Sequence, residues 1–113
     1  MKYVVLIVQT EAGQRLTGTD REALYSEIVA WYEKASATDT MIDSGYELAG
    51  PDTAKTIQSN GVFDGPFMEA KEILGGYYVL ETDTIEEAVE FSQSWPGIDR
   101  GYITLEVRPV ASH

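Results

Sequence analysis

The segment Asp64-Gly65-Pro66-Phe67 sets a carboxylate beside a tight Gly-Pro turn. A carboxylate in this setting can act as a general base or bind a ligand hydroxyl. Asp is also common in turns, because its oxygens accept hydrogen bonds from nearby backbone N–H groups. Gly65 permits unusual φ values and Pro66 fixes φ, so both are expected to shape the turn. Asp64 is therefore a candidate catalytic residue, and turn formation explains its residue type at least as well.

A charged cluster of Glu69, Lys71 and Glu72 follows the turn. Glu69 is the second candidate acid or base, and Lys71 would bind the ligand at the mouth of a pocket. The alternative is a set of solvated ion pairs, which contribute little to stability. Phe67 is expected to be a packing anchor, with stacking on a ligand as its second role.

Three more residues are candidate ligand contacts. Arg15 is one of few cations in the chain and could hold an anionic ligand near the first loop, although surface solvation also explains it. Tyr3 and Tyr77 could line a pocket with their phenol groups, and interface packing explains them equally well. The chain has no cysteine and its only histidine is His113, so we predict no metal site and no cofactor.

The charge of the chain argues against nucleic acid as a partner. Eight Lys and Arg residues stand against 19 Asp and Glu residues, for a formal net charge of −11. Such an acidic protein repels phosphate backbones. The apolar run Tyr3 to Val8 is too short for a signal peptide or a membrane span, so we expect no membrane association and a cytoplasmic protein.

The candidate residues must be positioned by a small set of elements in one domain, residues 1–113. Three apolar runs predict strands at Tyr3–Val8, Tyr77–Thr82 and Tyr102–Arg108, and Tyr46–Ala49 is a candidate for a further short strand. Asn60-Gly61 predicts the turn of a hairpin, since both residues accept positive φ. Gly75-Gly76 precedes a strand and indicates a bulge or a close backbone approach rather than a phosphate loop.

Two helices are predicted from capping boxes and apolar periodicity. The first begins at Thr19 and ends near Gly45. Its apolar stripe consists of Leu24, Ile28, Trp31, Ala35, Thr38 and Ile42. The second begins at Thr84 and runs through Trp95.

The element order β-α-β-(hairpin)-β-α-β predicts an α+β, ferredoxin-like fold with both helices on one face of an antiparallel sheet. The other face should be polar, yet the strands are apolar on both sides. A second subunit, a small ligand or both should therefore cover this face. A homodimer through the open sheet face, able to enclose a small-molecule ligand, is the favoured solution. The alternative is that the hairpin and loops fold over the face.

The Asp64-Gly65-Pro66-Phe67 segment, with the later Leu74-Gly75-Gly76-Tyr77-Tyr78 and Glu106-Val107-Arg108-Pro109-Val110, resembles the bacterial DGPF proteins of the YCII-related family. The resemblance implies a ferredoxin-like fold that dimerises as a dimeric α/β barrel. Some relatives in the wider family are dehydrochlorinases of chlorinated quinone-type substrates, with a proposed His-Asp pair. That pair is not transferable here, because His113 is the last residue.

Three functions follow as hypotheses. The first is a dimeric module that binds or senses a small aromatic or apolar molecule. The second is an enzyme that uses Asp64 or Glu69 as acid or base on such a molecule. The third is a protein-interaction module associated with a sigma factor, because genes of DGPF proteins often neighbour those of extracytoplasmic-function sigma factors.

Overall fold

The computed structural model describes residues 1–66 and 71–113 and combines six strands with three α-helices in this range. The elements are β1 (Lys2–Gln9), α1 (Glu11–Gln14), α2 (Gly18–Ser36), β2 (Met41–Asp43), a 3-10 turn (Pro51–Thr53), β3 (Lys55–Gln58), β4 (Gly61–Asp64), β5 (Ile73–Glu81), α3 (Ile85–Ser92) and β6 (Ile103–Pro109). The predicted α+β class is confirmed.

Four strands form one antiparallel sheet in the order β2-β5-β1-β6. Strands β1 and β2, joined through α2, run parallel with β5 between them. Strands β5 and β6, joined through α3, run parallel with β1 between them. The two halves therefore interleave, and β1 and β5 become the central pair. Strands β3 and β4 pair only with each other, as a separate hairpin.

The register of β1 assigns each side chain to a face of the sheet. Tyr3, Val5 and Ile7 are buried, and they lie opposite Leu80, Tyr78 and Gly76 of β5. This face carries the helices, since its residues join one core cluster with Ile28, Trp31 and Phe91. Val4, Leu6 and Val8 point to the other face and are half-buried. Strand β1 is thus apolar on both faces, as predicted, but only the helix side is fully buried.

An aromatic cluster centred on Trp31 joins α2 to the sheet and to α3. The Trp31 ring contacts Tyr32, Tyr78 and Phe91 with centroid separations of 5.2, 5.4 and 5.8 Å. Its indole Nε1 donates to Ser94 Oγ at 2.9 Å, which ties the middle of α2 to the segment after α3. The Tyr78 hydroxyl donates to Ser92 Oγ at 2.7 Å inside the core. Helix α2 is therefore held in one orientation over the sheet.

Helix α2 differs from its predicted limits at both ends. It begins at Gly18, with Thr17 as its N-cap, so Thr19 is not a capping residue. It ends at Ser36 because the Thr38 hydroxyl donates to the Ala35 carbonyl at 2.7 Å and turns the chain. The predicted extension to Gly45 is wrong, since these residues form a turn and β2. The predicted N-cap at Thr84 is confirmed, since Thr84 Oγ1 accepts from the Glu87 N–H at 3.2 Å. The Glu87 carboxylate accepts from the Thr84 hydroxyl at 3.4 Å rather than from the backbone N–H of a full capping box, and α3 ends at Ser92 rather than Trp95.

The hairpin is present, but its turn lies one residue earlier than predicted. Gln58 pairs with Gly61, so the central turn residues are Ser59 and Asn60. Asn60 keeps a negative φ, and only Gly61 has a positive one, of 147°. The glycine is therefore the first residue of β4.

The Gly75-Gly76 pair confirms both predicted roles. Gly75 lies at a β-bulge, because Ile7 pairs with Gly76 and Val8 pairs with Leu74. At Gly76 the Tyr46 carbonyl approaches so closely that a Cβ would lie 2.7 Å from its oxygen. The bulge and the close approach let the segment after β2 lie against the edge of β5.

Crossing a bilayer as a helix requires about 20 consecutive, mostly apolar residues. Across residues 1–66 and 71–113, no helix combines the length and the apolar character that crossing a bilayer requires.

Candidate functional site

A cavity of about 590 Å³ lies on the helix side of the sheet. Its walls come from α2, from the segment 44–47 after β2, and from the ends of β1 and β6. The aliphatic part of the lining consists of Ile7, Ile28, Val29 and Ile103. Volume and lining are typical of a site for a small organic molecule.

The inner end of the cavity is built from Tyr32 and Trp95. Their rings meet edge to face, with centroids 6.3 Å apart. Trp95 is 4% exposed, and its Nε1 has no hydrogen-bond partner among the described residues. Buried polar groups are almost always hydrogen-bonded, so this N–H is an unused donor in a cavity wall.

Burial raises the pKa of the Tyr32 hydroxyl. The indole N–H of Trp95 offsets part of this rise, so it lies close to the phenol oxygen although the two do not meet hydrogen-bond geometry. Tyr32 thus stays protonated at neutral pH and can donate a hydrogen bond. The inner wall presents a phenol O–H and an indole N–H close together.

The mouth of the cavity is bordered by Tyr25 of α2 and Glu47 of the facing segment. The Tyr25 hydroxyl donates to Glu47 Oε2 at 3.0 Å and to Oε1 at 3.4 Å. This hydrogen bond is the main reason that the pKa of Tyr25 is raised. Glu33, one turn further along the helix than Val29, adds a second exposed carboxylate to the lining.

Gly45 allows the segment 44–47 to reach the cavity. Its φ of 65° is one that L side chains rarely adopt, and an added Cβ would lie 1.8 Å from the Tyr77 carbonyl oxygen. The Asp43 carboxylate accepts from the Gly45 N–H at 2.8 Å, and the Leu48 N–H donates to the Gly75 carbonyl at 2.8 Å. The backbone on both sides of Glu47 is therefore fixed against β5.

Asp64, the first predicted catalytic residue, lies at the end of the hairpin. Its side chain is 86% exposed and forms an ion pair with Lys55, its partner across the two strands. Gly65 follows with a φ of 91°, which confirms its expected role. The Gly65 N–H donates to Ala54 O at 2.8 Å, and its carbonyl accepts from Thr56 Oγ1 at 2.8 Å. The turn closes the base of the hairpin, and Asp64 faces solvent rather than the cavity.

The other predicted site residues are dispersed over the molecule. Tyr3 is buried in the core on the helix side, and Tyr77 is half-buried on the opposite face. Arg15 is exposed and pairs with Glu11 at 3.7 Å. Lys71 is exposed, and its carbonyl accepts from Gln14 Nε2 at 2.7 Å. Phe67 and Glu69 lie outside the described residues. Those that the structure describes do not share the cavity lining.

The sheet face opposite the helices carries an apolar patch, which we call the open-face patch. It consists of Val4, Leu6, Val8, Tyr77 and Val79. The Tyr46 ring lies beside Tyr77, with centroids 6.5 Å apart. On β6 the same face is polar, with Thr104, Glu106 and Arg108 exposed. The apolar character predicted for this face is therefore limited to the central strands.

Sequence reasoning missed the cavity residues of α2, although a signal for them exists. Tyr25, Val29, Tyr32 and Ser36 follow one another at spacings of four, three and four. This stripe lies one residue after the core stripe Leu24, Ile28, Trp31 and Ala35. Two adjacent stripes widen the apolar side of the helix beyond what a sheet contact alone requires. The second stripe lines the cavity.

Nothing among the described residues suggests a metal centre. No group of three or more His, Asp or Glu side chains within residues 1–66 and 71–113 is arranged to hold an ion. The polar side chains of the cavity lining are three phenols, an indole, an amide, two hydroxyls and two carboxylates, from Tyr25, Tyr32, Tyr46, Trp95, Gln9, Ser36, Ser44, Glu33 and Glu47.

Comparison with known proteins finds a curated relative and several chains in solved structures. The uncharacterised protein R00369 of Rhizobium meliloti (strain 1021) is 38% identical over 50 residues, which is 44% of this chain. The match spans only 40% of that relative's length. One of these solved structures is the 5-chloro-2-hydroxyhydroquinone dehydrochlorinase of Burkholderia phenoliruptrix AC1100 in complex with 2,5-dihydroxybenzoquinone.

That structure has a TM-score of 0.59 and 16% sequence identity, covering 100% of this chain and 96% of the other. At this identity the likeness shows a shared fold. The family comparison is more direct, because the YCII-related domain matches residues 1–111. This match confirms the resemblance to DGPF proteins, and the chain belongs to the YCII-related family.

Proposed function

We propose that this protein is a small-molecule-binding module whose ligand occupies the cavity beside α2. The observation that carries the proposal is the Trp95 N–H, which has no hydrogen-bond partner within residues 1–66 and 71–113 and lies beside the Tyr32 hydroxyl at the inner end of an apolar cavity of about 590 Å³. A buried donor without a partner costs about 1–3 kcal/mol. A ligand with a hydrogen-bond acceptor removes this cost when it binds.

The lining favours a flat ring system that carries an oxygen or nitrogen acceptor. Tyr32 and Trp95 offer aromatic surfaces, and Ile7, Ile28 and Ile103 supply the aliphatic remainder. Aromatic pairs add about 0.5–1.5 kcal/mol beyond the burial of their area. The proposed ligand is therefore an aromatic molecule whose acceptor reaches the inner wall.

A blocking variant tests whether the cavity is the site. Val29→Trp adds a large ring to a residue of the lining, whereas Ala30→Trp adds the same ring at an exposed neighbour outside it. The probe is 2-naphthol, followed by isothermal titration calorimetry. We expect binding to the unmodified protein and to Ala30→Trp, and none to Val29→Trp. Equal binding to all three proteins would place the site elsewhere.

A second variant tests the inner wall. Tyr32→Phe removes one hydroxyl and keeps the ring, so it should weaken 2-naphthol by about fivefold to tenfold, as the loss of one hydrogen bond predicts. Naphthalene has no acceptor and should bind both proteins equally. If Tyr32→Phe weakens both probes alike, the hydroxyl acts through packing and not through a hydrogen bond.

We also propose that two copies pair through the open-face patch. The patch is apolar over β1 and β5, while Glu106 and Arg108 of β6 form an exposed ion pair beside it. Two copies related by a two-fold axis would bury the apolar rows against each other and leave the charged strands at the rim. A second copy fits better than a charged partner, because the patch itself has no charged side chain.

Catalysis by Asp64 or Glu69 and association with a sigma factor stay predictions. The dehydrochlorinase shares the fold, which is compatible with an enzyme, but its identity of 16% does not extend its reaction to this chain.

A further inference from the structure

The charged side chains in the cavity lining all carry a negative charge. Among the described residues that line the cavity, two are charged, and both are acidic: Glu33 and Glu47. No Lys, Arg or His contributes to this lining. An anionic ligand would meet two carboxylates without a cation to offset them.

The two carboxylates differ in their surroundings. Glu47 accepts the hydrogen bond from Tyr25, and its charge also raises the pKa of Tyr32 further inside. Its field therefore extends from the mouth into the cavity. Glu33 is exposed, and its carboxylate makes no ion pair within residues 1–66 and 71–113. Arg21 is near Tyr25, but its effect there is smaller than that of Glu47.

The Trp95 N–H, which finds no hydrogen-bond partner in the part of the chain that the structure describes, is a second and independent indication of a ligand. Rings such as Tyr25, Tyr32 and Trp95 attract cations to their faces, and carboxylates attract them more strongly. Acidic side chains combined with aromatic rings are the chemistry of ammonium recognition. The inner end, by contrast, offers neutral donors, which suit an uncharged acceptor.

We propose that the natural ligand is an aromatic amine: a ring with an acceptor that enters first, and a protonated amino group that stays at the mouth with Glu33 and Glu47. This inference rests on the proposed function and deepens it. The site selects by charge as well as by shape, and it excludes carboxylates, sulfates and phosphates of the same ring system.

Three matched probes test the charge selection on the full chain by calorimetry. They are 2-naphthylmethylamine, 2-naphthalenemethanol and 2-naphthoate, which share a ring and carry a positive, zero or negative charge at neutral pH. We expect the amine to bind about fivefold to tenfold more tightly than the alcohol, and the carboxylate to bind more weakly than either. The amine's advantage should shrink at high ionic strength, because salt screens exposed charges.

Two variants assign the effect to residues. Glu33→Gln and Glu47→Gln should each reduce the preference for the amine, measured as the ratio of the Kd of the alcohol to the Kd of the amine, so that any effect common to both probes cancels. Glu33→Gln removes no hydrogen bond or ion pair among the described residues, whereas Glu47→Gln also weakens the hydrogen bond from Tyr25. Glu90→Gln, on the exposed side of α3, is the matched control and should keep the full preference.

The outcomes separate the two proposals. Equal affinities for all three probes, or a preference for the carboxylate, would overturn the charge selection and leave the binding site intact. Failure of both the alcohol and the amine to bind would overturn the proposed function, and this inference with it. A preference for the amine that survives both substitutions would place the cation elsewhere and overturn the assignment to Glu33 and Glu47.

Discussion

The Tyr25 hydroxyl donates a hydrogen bond to Glu47 across the mouth of the cavity, with 3.0 Å between the oxygen atoms. The two residues are 22 positions apart in the chain, on α2 and on the segment after β2. This contact joins the helix to the segment that closes one side of the cavity. We expect this contact to add to the backbone hydrogen bonds that hold the segment against β5.

Tyr25→Phe should weaken the attachment of the segment 44–47 to α2 without disturbing the core. The contact is exposed, so we expect a loss of about 0.5–1 kcal/mol in the free energy of unfolding. The Leu48 amide, which donates to the Gly75 carbonyl, should exchange its hydrogen faster. Urea denaturation and hydrogen exchange measure the two effects. Unchanged exchange at Leu48 would show that the segment is held by its backbone contacts alone.

Alkaline pH should destabilise the protein because three tyrosines ionise at lower pH in the unfolded chain than in the folded one. The hydrogen bond to Glu47 raises the pKa of Tyr25, and burial raises the pKa of Tyr32 and of Tyr78. In the unfolded chain these phenols ionise near about pH 10, whereas in the folded protein they stay protonated at higher pH. The unfolded state then binds fewer protons, so the contribution of these three tyrosines to stability is constant below about pH 10 and falls as the pH rises further.

Tyr78→Phe separates the buried contribution from the others. The variant should lose about 1–3 kcal/mol at neutral pH, because the Ser92 hydroxyl loses its partner in the core. It should also show a shallower loss of stability above about pH 10. Urea denaturation at about pH 8 and about pH 11 gives both numbers. An alkaline slope equal to that of the unmodified protein would mean that Tyr78 does not contribute to it.

Gly45→Ala should be among the most destabilising single-methyl additions in the segment around the cavity. The added Cβ would collide with the Tyr77 carbonyl oxygen at 1.8 Å, and the positive φ adds strain. Gly18→Ala is the matched control, since Gly18 also has a positive φ but no atom lies within 4 Å of its Cβ. Strain alone predicts a loss of about 1–2 kcal/mol at Gly18, and Gly45 should lose clearly more. Equal losses would show that the segment relaxes away from β5.

The open-face patch is tested by the oligomeric state. Leu6 lies in the centre of the patch, so Leu6→Lys should convert a dimer into a monomer at micromolar concentration in sedimentation experiments. Thr104→Lys introduces the same charge on the same face, on the exposed polar strand β6, and should leave the dimer intact. A monomeric unmodified protein would contradict the proposed pairing.

The sequence predicts the limits of β1 and β6 well, but not the start of β5, the position of β2 or the ends of α2. Strand β5 begins at Ile73 rather than Tyr77, and β2 lies at Met41–Asp43, whereas the short strand predicted at Tyr46–Ala49 contributes a β-bridge from Glu47 to Gly76. Strands β1 and β6 lie within one residue of their predicted limits at each end, because apolar periodicity reports directly on burial.

The predicted α2 is too long because Thr38 and Ile42 continue the apolar spacing by coincidence, although α2 ends at Ser36. The helix ends where the Thr38 hydroxyl donates to the Ala35 carbonyl. This hydrogen bond depends on the backbone conformation after Ala35, which the residue types alone do not determine.

The candidate site was harder to predict, since its residues come from distant parts of the chain. Tyr25, Glu47 and Trp95 meet only after the sheet has assembled, and none belongs to a recognisable motif. Asp64 lies within a specific motif, yet the structure shows the same motif closing a hairpin through Gly65. A family-specific string can therefore record a structural requirement as well as a chemical one.

Tyr32 and Trp95 line the cavity and also pack in the aromatic cluster around Trp31. Occupancy of the cavity and folding of the chain are thus coupled equilibria. A ligand present at about 100 times its Kd would add about 2.7 kcal/mol to the free energy of unfolding. In a cell that degrades unfolded chains, the abundance of the protein would then follow the supply of its ligand.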